Sequence, residues 1–484
     1  MNEWKEKHRQ RRVPGSERMV IPEPEEAEPE DKEEEHRENR QRAPTLANDH
    51  DVPGSQYIQA LWDRHLPHTQ YFYKNAAAAI KPFEFTRPCP PCKSPRLSMS
   101  SKKILRVGMI GYNFMGKAHS NAWRQAPRFF DLPADVRLHT ICGRSAESVE
   151  KARVQLGWEK AATDWRAVVS DPEIDIVDIC TPNDSHAEIA VEAARRGKAI
   201  LCEKPLALNV PQGQAMVAAV KKARVVNMVC HNYRRIPAIA LAKQMIQEGA
   251  IGDRIFHYRA RYAQDWITDP SFPLVWRLQS KIAGSGAHGD IDAHIIDLGR
   301  YLVGEIKEVC GLMETFIRER PLLDQSGAGL SAKGAKSGKV TVDDAVSWIG
   351  RFKNGAIANL EATRFALGRK NHITIEINGS KGSLAFNFED MNRLEYYNSE
   401  DPDDRRGFRS ILVTEPTQPY AGAWWPPGHI IGYEHTFVNT FADFVRAVIA
   451  GKSVQPTFED GLQNEKVLGA IDESAKTRQW VKVS

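Results

Sequence analysis

The sequence predicts an α/β chain, with a doubly wound parallel sheet followed by an α+β domain carrying a large, mostly antiparallel open sheet. Three observations carry this expectation. From Ile104 to about residue 230, short apolar runs alternate with amphipathic stretches; strands spaced in this way need crossover connections, which put helices on both faces of a parallel sheet. Beyond about Arg235 the pattern becomes strand-length segments joined by turns, with Asn354-Gly355 between two of them as a strong hairpin signal. Finally, 484 residues at 42% hydrophobic content exceed what one core normally serves.

Residues 1–101 read as a disordered, low-complexity extension, because Pro22 to Arg40 is nearly all Glu, Asp, Lys, Arg and Pro and buries too little apolar surface to offset chain entropy. Cys89-Pro-Pro-Cys92 lies in it without a second Cys or His pair, so it reads as linker rather than as a metal or redox site. Residues 102–230 form the first folded domain: strands Ile104–Ile110, Val136–Cys142, Ile174–Cys180 and Ala199–Cys202, and helices Lys117–Arg124, Ser145–Leu156, Ser185–Arg196 (closed by Gly197) and Val210–Ala223. Residues 231–484 form the second, with strands Ile255–Tyr262, Val346–Phe352, Ala356–Thr363, Ile373–Ile377 and Ser383–Phe388. Gly327 to Lys339, rich in Gly, Ala, Ser and Lys, reads as a mobile loop. His435–Ile449 and Gly461–Thr477 close the chain as amphipathic helices able to pack back on the first domain.

Composition narrows the function. Lys and Arg number 66 against 62 Asp and Glu, a formal net charge of +4, so no chain-wide field favours nucleic acid or an anionic membrane. Seven cysteines, mostly single residues in apolar runs, suit reduced thiols in a cytoplasmic protein. No run approaches the roughly 18 apolar residues of a membrane span, and no apolar segment follows the charged N-terminus.

Gly111-Tyr-Asn113-Phe114-Met115-Gly116 sits between the first strand and the first helix, the place where a Rossmann domain lays a pyrophosphate against free helix N–H groups. The middle glycine of that fingerprint is replaced by Asn113, one of the few other residues that tolerate a positive φ. At the second strand's tip, Cys142-Gly143-Arg144-Ser145 lacks the carboxylate that binds a ribose 2′-hydroxyl, while Arg144 and Ser145 offer donors to a 2′-phosphate. The cofactor is thus read as NADP or NAD, with NADP favoured.

Together with Thr181-Pro182-Asn183, Glu203-Lys204-Pro205, Asn232-Tyr233-Arg234 and the segment Gly284 to Asp297, these motifs resemble the glucose–fructose oxidoreductase/inositol dehydrogenase/rhizopine-catabolism (Gfo/Idh/MocA) family from about Lys103 to the C-terminus. Asp265-Trp266, Trp276-Arg277 and Gly407-Phe408-Arg409 bring it near that family's bacterial sugar dehydrogenases. The resemblance implies hydride transfer between a sugar, glycoside or cyclitol hydroxyl and a nicotinamide. It implies catalysis by Lys204, Asp290 and His294, and cofactor contacts from Gly111, Asn113, Phe114, Met115, Gly116, Thr181, Pro182, Asn183, His186, Glu203 and Lys204, to which the chemistry of the second strand's tip adds Arg144 and Ser145. Substrate contacts are implied for Lys204, Asn232, Tyr233, Trp276, Asp290 and His294. It implies no metal, a small sugar or polyol as partner with neither nucleic acid nor membrane, and a homo-dimer or homo-tetramer formed through the second sheet.

Residue chemistry agrees with these roles. His294 titrates near neutrality and suits a proton acceptor. Asp290, four residues earlier on the same helix face, is placed to orient the imidazole, and Lys204 is suited to stabilise a developing alkoxide. His288 and Asp292 stand where many relatives carry an apolar residue and a glycine, so they are candidates for a further substrate contact or a disturbance of the pocket. Trp424-Trp425-Pro-Pro-Gly-His429 is of the type on which sugar rings stack, or a subunit contact. Two other functions stay open: NAD-dependent glycoside cleavage through transient oxidation at C3, and a non-catalytic sensor on the same fold.

Overall fold

The computed structural model describes residues 102–322 and 336–484. The expected extension and most of the Gly327–Lys339 loop lie outside them. The end of that loop, Ser337–Lys339, is a strand paired antiparallel with Glu319–Pro321, where backbone hydrogen bonds from Leu322 to Lys336 and from Val340 to Arg318 close both ends of the pair.

The first sheet contains β1 (Lys103–Ile110), β2 (Ala134–Cys142), β3 (Lys160–Ala162), β4 (Ile176–Ile179), β5 (Ala199–Cys202) and β6 (Asn227–Val229), all parallel, in the order β3-β2-β1-β4-β5-β6. Connections leave β1 and β4 in opposite directions, so a crevice opens at their carboxyl ends, where such sheets bind ligands. Helices α1 (Phe114–Phe129), α2 (Ala146–Leu156), α3 (Trp165–Ser170), α4 (His186–Arg195) and α5 (Val210–Ala223) follow the strands. Helix α1 begins three residues earlier than its periodicity suggests, directly at the glycine turn. Strands β3 and β6 and helix α3 are too short to show a period in the sequence.

The second sheet has nine strands. After α6 (Pro237–Gln247) come β7 (Ile255–Ala263), α7 (Ala293–Leu302) and β8 (Ile306–Glu314), then the small β9 (Glu319–Pro321) and β10 (Ser337–Lys339). The chain continues through β11 (Ala345–Phe352), β12 (Ile357–Thr363), β13 (His372–Gly379), β14 (Gly382–Asn387), β15 (Arg393–Asn398) and β16 (Arg409–Leu412), and β17 (Val481–Lys482) ends it. The large sheet runs β16-β15-β14-β13-β7-β12-β11-β8-β17 and is antiparallel except where β7 pairs parallel with β12. One face packs on α6 and α7 around Tyr258, Trp348 and Phe352. The other face exposes Leu312, Ile349 and Ile357, which share it with Arg259, Arg261 and Glu361.

Helices α8 (Tyr433–Ala450) and α9 (Phe458–Thr477) follow β16. Phe437, Phe441 and Phe444 of α8 pack against Trp123 of α1 and Met109 of β1, covering a face of the first sheet. Phe458 and Leu462 of α9 join the core on the opposite face, while its Leu468 and Ile471 join the core of the second sheet. Among the described residues no helix is long and apolar enough to cross a membrane.

Candidate active site

A cavity of about 580 Å³ opens at the carboxyl ends of β1, β4 and β5 and is closed from the other side by the second sheet and α7. The glycine turn forms one wall. Gly111 has φ +103°, and a Cβ there would lie 2.5 Å from the carbonyl oxygen of Cys180; a Cβ at Gly116 would lie 2.3 Å from that of Gly111. Only glycine lets helix and strands approach this closely. Asn113 departs from expectation: its φ is −72°, so it occupies the N-cap position in extended backbone rather than replacing a left-handed glycine. Its side chain makes no capping bond, so the first N–H groups of α1 are free for an anionic ligand. This cradle fits a dinucleotide pyrophosphate, and Asn113, Phe114 and Met115 line the cavity beside it.

At the β2 tip a Cβ on Gly143 would lie 1.8 Å from a ring carbon of Tyr112, so a larger residue there would have to displace that ring. Arg144 is exposed. Ser145 accepts a bond from the backbone N–H of Ser148 and is thereby engaged as the N-cap of α2, which leaves Arg144 as the tip's charged donor.

Thr181, Pro182, Asn183 and Glu203 line the cavity. His186 does not. It is fully buried, its two ring nitrogens 3.0 Å from the carbonyl oxygens of Pro205 and Thr181, so it ties together two wall segments instead of touching a ligand.

Lys204 reaches across from β5 to the second domain, donating to the backbone oxygen of Asp290 at 2.6 Å and to its carboxylate at 3.0 Å. Arg364 donates to the other carboxylate oxygen at 2.6 Å. Burial raises the Asp290 carboxyl, but Lys204, Arg364 and Arg277 outweigh it and hold the group well below the ordinary carboxylate range. The expected Asp290–His294 hydrogen bond is not formed: two cations compete for the carboxylate, and His288–Asp292 is a wider π-type turn that alters the helical register. His294 stacks on Tyr233 at 4.4 Å, and its Nδ1 is buried without a partner. Burial, then the charges of Lys204 and His231, push its imidazole well below its ordinary value. It is therefore neutral at pH 7 and able to accept a proton.

His288 and Asp292 face away from the cavity. They bond each other at 3.1 Å, His288 also meets the carbonyl oxygen of Leu468, and Asp292 accepts from the Trp348 indole, so the pair braces the back of the helix start. Neither lines the cavity. The Trp424-Trp425 loop packs on Phe129 and Phe130 at the far end of α1, which removes sugar stacking in this cavity.

Asn232, Tyr233 and Trp276 line the cavity. So do residues that sequence reading missed: Tyr262, Gln264, Arg364 and Asn371. Asn371 accepts from Tyr262 at 2.6 Å and from Gln264 at 3.0 Å, and Gln264 in turn accepts from Trp266. Each lies at or just beyond a strand end, where spacing carries no signal of its own. Arranged this way, the cavity pairs a dinucleotide cradle with a neutral imidazole, an ammonium and a rim of amide, hydroxyl and aromatic groups of the kind that hold a polyhydroxylated ring.

Comparison with known proteins agrees. Residues 105–231 match the family described as "Oxidoreductase family, NAD-binding Rossmann fold", and residues 239–385 match the "GFO/IDH/MocA C-terminal domain". Levoglucosan dehydrogenase of Pseudarthrobacter phenanthrenivorans is 48% identical over 385 residues, 78% of this chain and 98% of that protein. The crystal structure of an oxidoreductase domain protein from Kribbella flavida aligns with a TM-score of 0.76 at 52% identity, covering 79% of this chain and 100% of that one. A structure of levoglucosan dehydrogenase in complex with NADH and levoglucosan aligns with a TM-score of 0.75 at 48% identity over 79% of this chain and 100% of that one. With both halves matched in order, and a relative this similar along nearly its whole length, the chain belongs to the Gfo/Idh/MocA family of oxidoreductases.

Proposed function

We propose that this protein is a nicotinamide-dependent dehydrogenase that oxidises a secondary hydroxyl of a sugar, glycoside or cyclitol. One observation carries the reading: a single cavity is lined by the dinucleotide turn, by the Lys204–Asp290 pair and by His294. The dinucleotide, when bound, supplies the hydride acceptor. His294, neutral, takes the hydroxyl proton, while Lys204, held in place by Asp290, donates to the substrate oxygen and stabilises its developing charge. Asn232, Tyr233 and Trp276 position the ring. A panel of sugars, glycosides and cyclitols run with NAD and NADP, read at the reduced-nicotinamide absorbance band, tests the assignment. Glycoside cleavage without net release of reduced cofactor, or binding without turnover, replaces it with one of the two other functions.

Within this reading, the Arg144 tip favours NADP, although the related levoglucosan dehydrogenase has been solved with NADH. Arg144→Ala is expected to lower the ratio of kcat/KM for NADP over NAD by about tenfold, one charge-assisted hydrogen bond at an exposed position. A parent that prefers NAD, or a ratio that stays put in the variant, rejects this part.

The open face of the second sheet, apolar at Leu312, Ile349 and Ile357 and flanked by charges of both signs, supports a homo-dimer or homo-tetramer formed through it. Ile349→Glu should shift the protein to a smaller species in sedimentation velocity; an unchanged profile excludes this face. A cytoplasmic location is consistent with the free cysteines among the described residues, Cys142, Cys180, Cys202, Cys230 and Cys310.

A further inference from the structure

Behind the cavity wall lies a buried ionic chain that the reaction as proposed does not use. Asp178 on β4, His119 on α1 and Glu203 after β5 are 0%, 0% and 4% exposed. His119 Nδ1 is 2.9 Å from Asp178, and its Nε2 is 2.8 Å from Glu203. The Trp123 indole donates to Asp178 at 2.7 Å, and the backbone N–H of Lys204 donates to the second oxygen of Glu203 at 3.1 Å. An ionised carboxylate only accepts, so with one on each side both ring nitrogens must carry hydrogen and the ring is an imidazolium. Burial opposes that charge; Asp178 leads the groups that restore it and raise the imidazole well above its ordinary value. Likewise burial raises the Glu203 carboxyl, and His119 more than reverses it. Glu203 is thereby held as an anion at the end of the chain.

Glu203 presents that charge to the cavity, whose wall it shares with Met115, Thr181 and Lys204. The nearby cations do not cancel it by direct pairing, because the Lys204 ammonium and the Arg364 guanidinium close on Asp290. A dinucleotide held by the glycine turn with its reactive ring toward His294 would lay that ring along the stretch of wall to which Glu203 belongs. Oxidised nicotinamide is a cation and reduced nicotinamide is neutral. A fixed buried anion beside the ring therefore acts on one redox form and hardly on the other.

We propose that Glu203, kept ionised by His119, weights the site toward the oxidised cofactor over the reduced one. The inference rests on the dehydrogenase reading above. It makes Glu203 a determinant of the redox balance of binding, and His119 a positioning residue acting through it.

Calorimetric titration of the full chain with the oxidised and the reduced dinucleotide, in parent and in Glu203→Gln, tests it without turnover. The quotient of dissociation constants, reduced over oxidised, is expected to fall about tenfold in the variant, chiefly through weaker binding of the oxidised form. Glu203→Asp should restore most of it. Should Glu203→Gln fail to fold, as judged by circular dichroism, the quotient is read in His119→Gln, where Glu203 loses its counter-charge and takes up a proton; the same fall is expected. Equal weakening of both forms, the signature of a merely structural role, overturns the proposal. A parent that binds neither form defeats the dehydrogenase reading and this proposal with it; a parent that binds both with an unchanged quotient in the variants defeats this proposal alone.

Discussion

Replacing His294 by alanine is expected to lower kcat by at least about a hundredfold with cofactor affinity nearly unchanged, and Lys204→Ala should lower kcat by at least as much, as befits groups that act in the transition state. The structure places both side chains on the cavity wall, one as a neutral imidazole and the other as an ammonium fixed by Asp290. The pH profile adds a second readout. Proton acceptance needs the neutral imidazole, and burial, Lys204 and His231 push His294 well below its ordinary value. The acid limb of kcat/KM should therefore fall well below the usual histidine range near about 6.5, with the rate rising as pH rises through it. Near-normal turnover in either variant, or an acid limb that persists in His294→Ala at the parental position, would remove that residue from the reaction.

The second large effect is on stability. Arg234 and Asp297 form a bidentate pair of 2.7 and 2.6 Å that locks the segment after β6 to α7, and both are buried, at 5% and 1% exposure. Asp297→Ala leaves the guanidinium buried with its best partner gone, a change that costs about 3–5 kcal/mol and should lower Tm by roughly 5 °C. Asp460, whose carboxylate is 3.5 Å from Arg234, remains as one ion-pair partner without the bidentate hydrogen bonds, which places the loss toward the lower end of that range. Because Asp297 lies one helical turn beyond His294, kcat should fall as well, and Asp297→Asn, which keeps the shape and one acceptor, should recover part of both losses. Thermal unfolding checks the ordering of parent, Asn and Ala; an Ala variant as stable as the parent contradicts the role given to the pair.

Several features were legible because they are local. Gly111 and Gly116 stand at a strand–helix junction where backbone approach admits no Cβ, and the sequence shows them as glycines with helix periodicity behind them. Lys204 follows a run of four buried apolar residues, and His294 opens an amphipathic helix, so each announces the end of an element on which it is carried. The hairpin at Asn354-Gly355 is equally local, with Gly355 at φ +92°.

Other features depend on what meets what. Spacing put Asp290 beside His294 on one helix face, but the carboxylate is taken by Lys204, 86 residues away, and by Arg364, 74 residues away. His288 and Asp292 read as strangers to the pocket's pattern; only their contacts with Leu468 and Trp348 show that they brace the helix from behind. His186 and the Trp424-Trp425 loop carried the chemistry of a ligand site, and packing assigned them to the scaffold.

The amino-acid sequence by itself determined the alternation of strands and helices, the glycine turn, the tip without a carboxylate, and the presence of a lysine and a histidine at element ends. These are properties of neighbours along the chain, set by backbone sterics and hydrophobic periodicity. Tertiary structure alone decided the partners of Asp290, the parallel pairing of β7 with β12, the sealing of the first sheet by α8, and the protonation of His119 and His294. Charge state and hydrogen-bond partner depend on desolvation and on distances of a few ångströms between segments far apart in sequence. The same residue type is thus an imidazolium between two carboxylates at 119 and a neutral base beside an ammonium at 294.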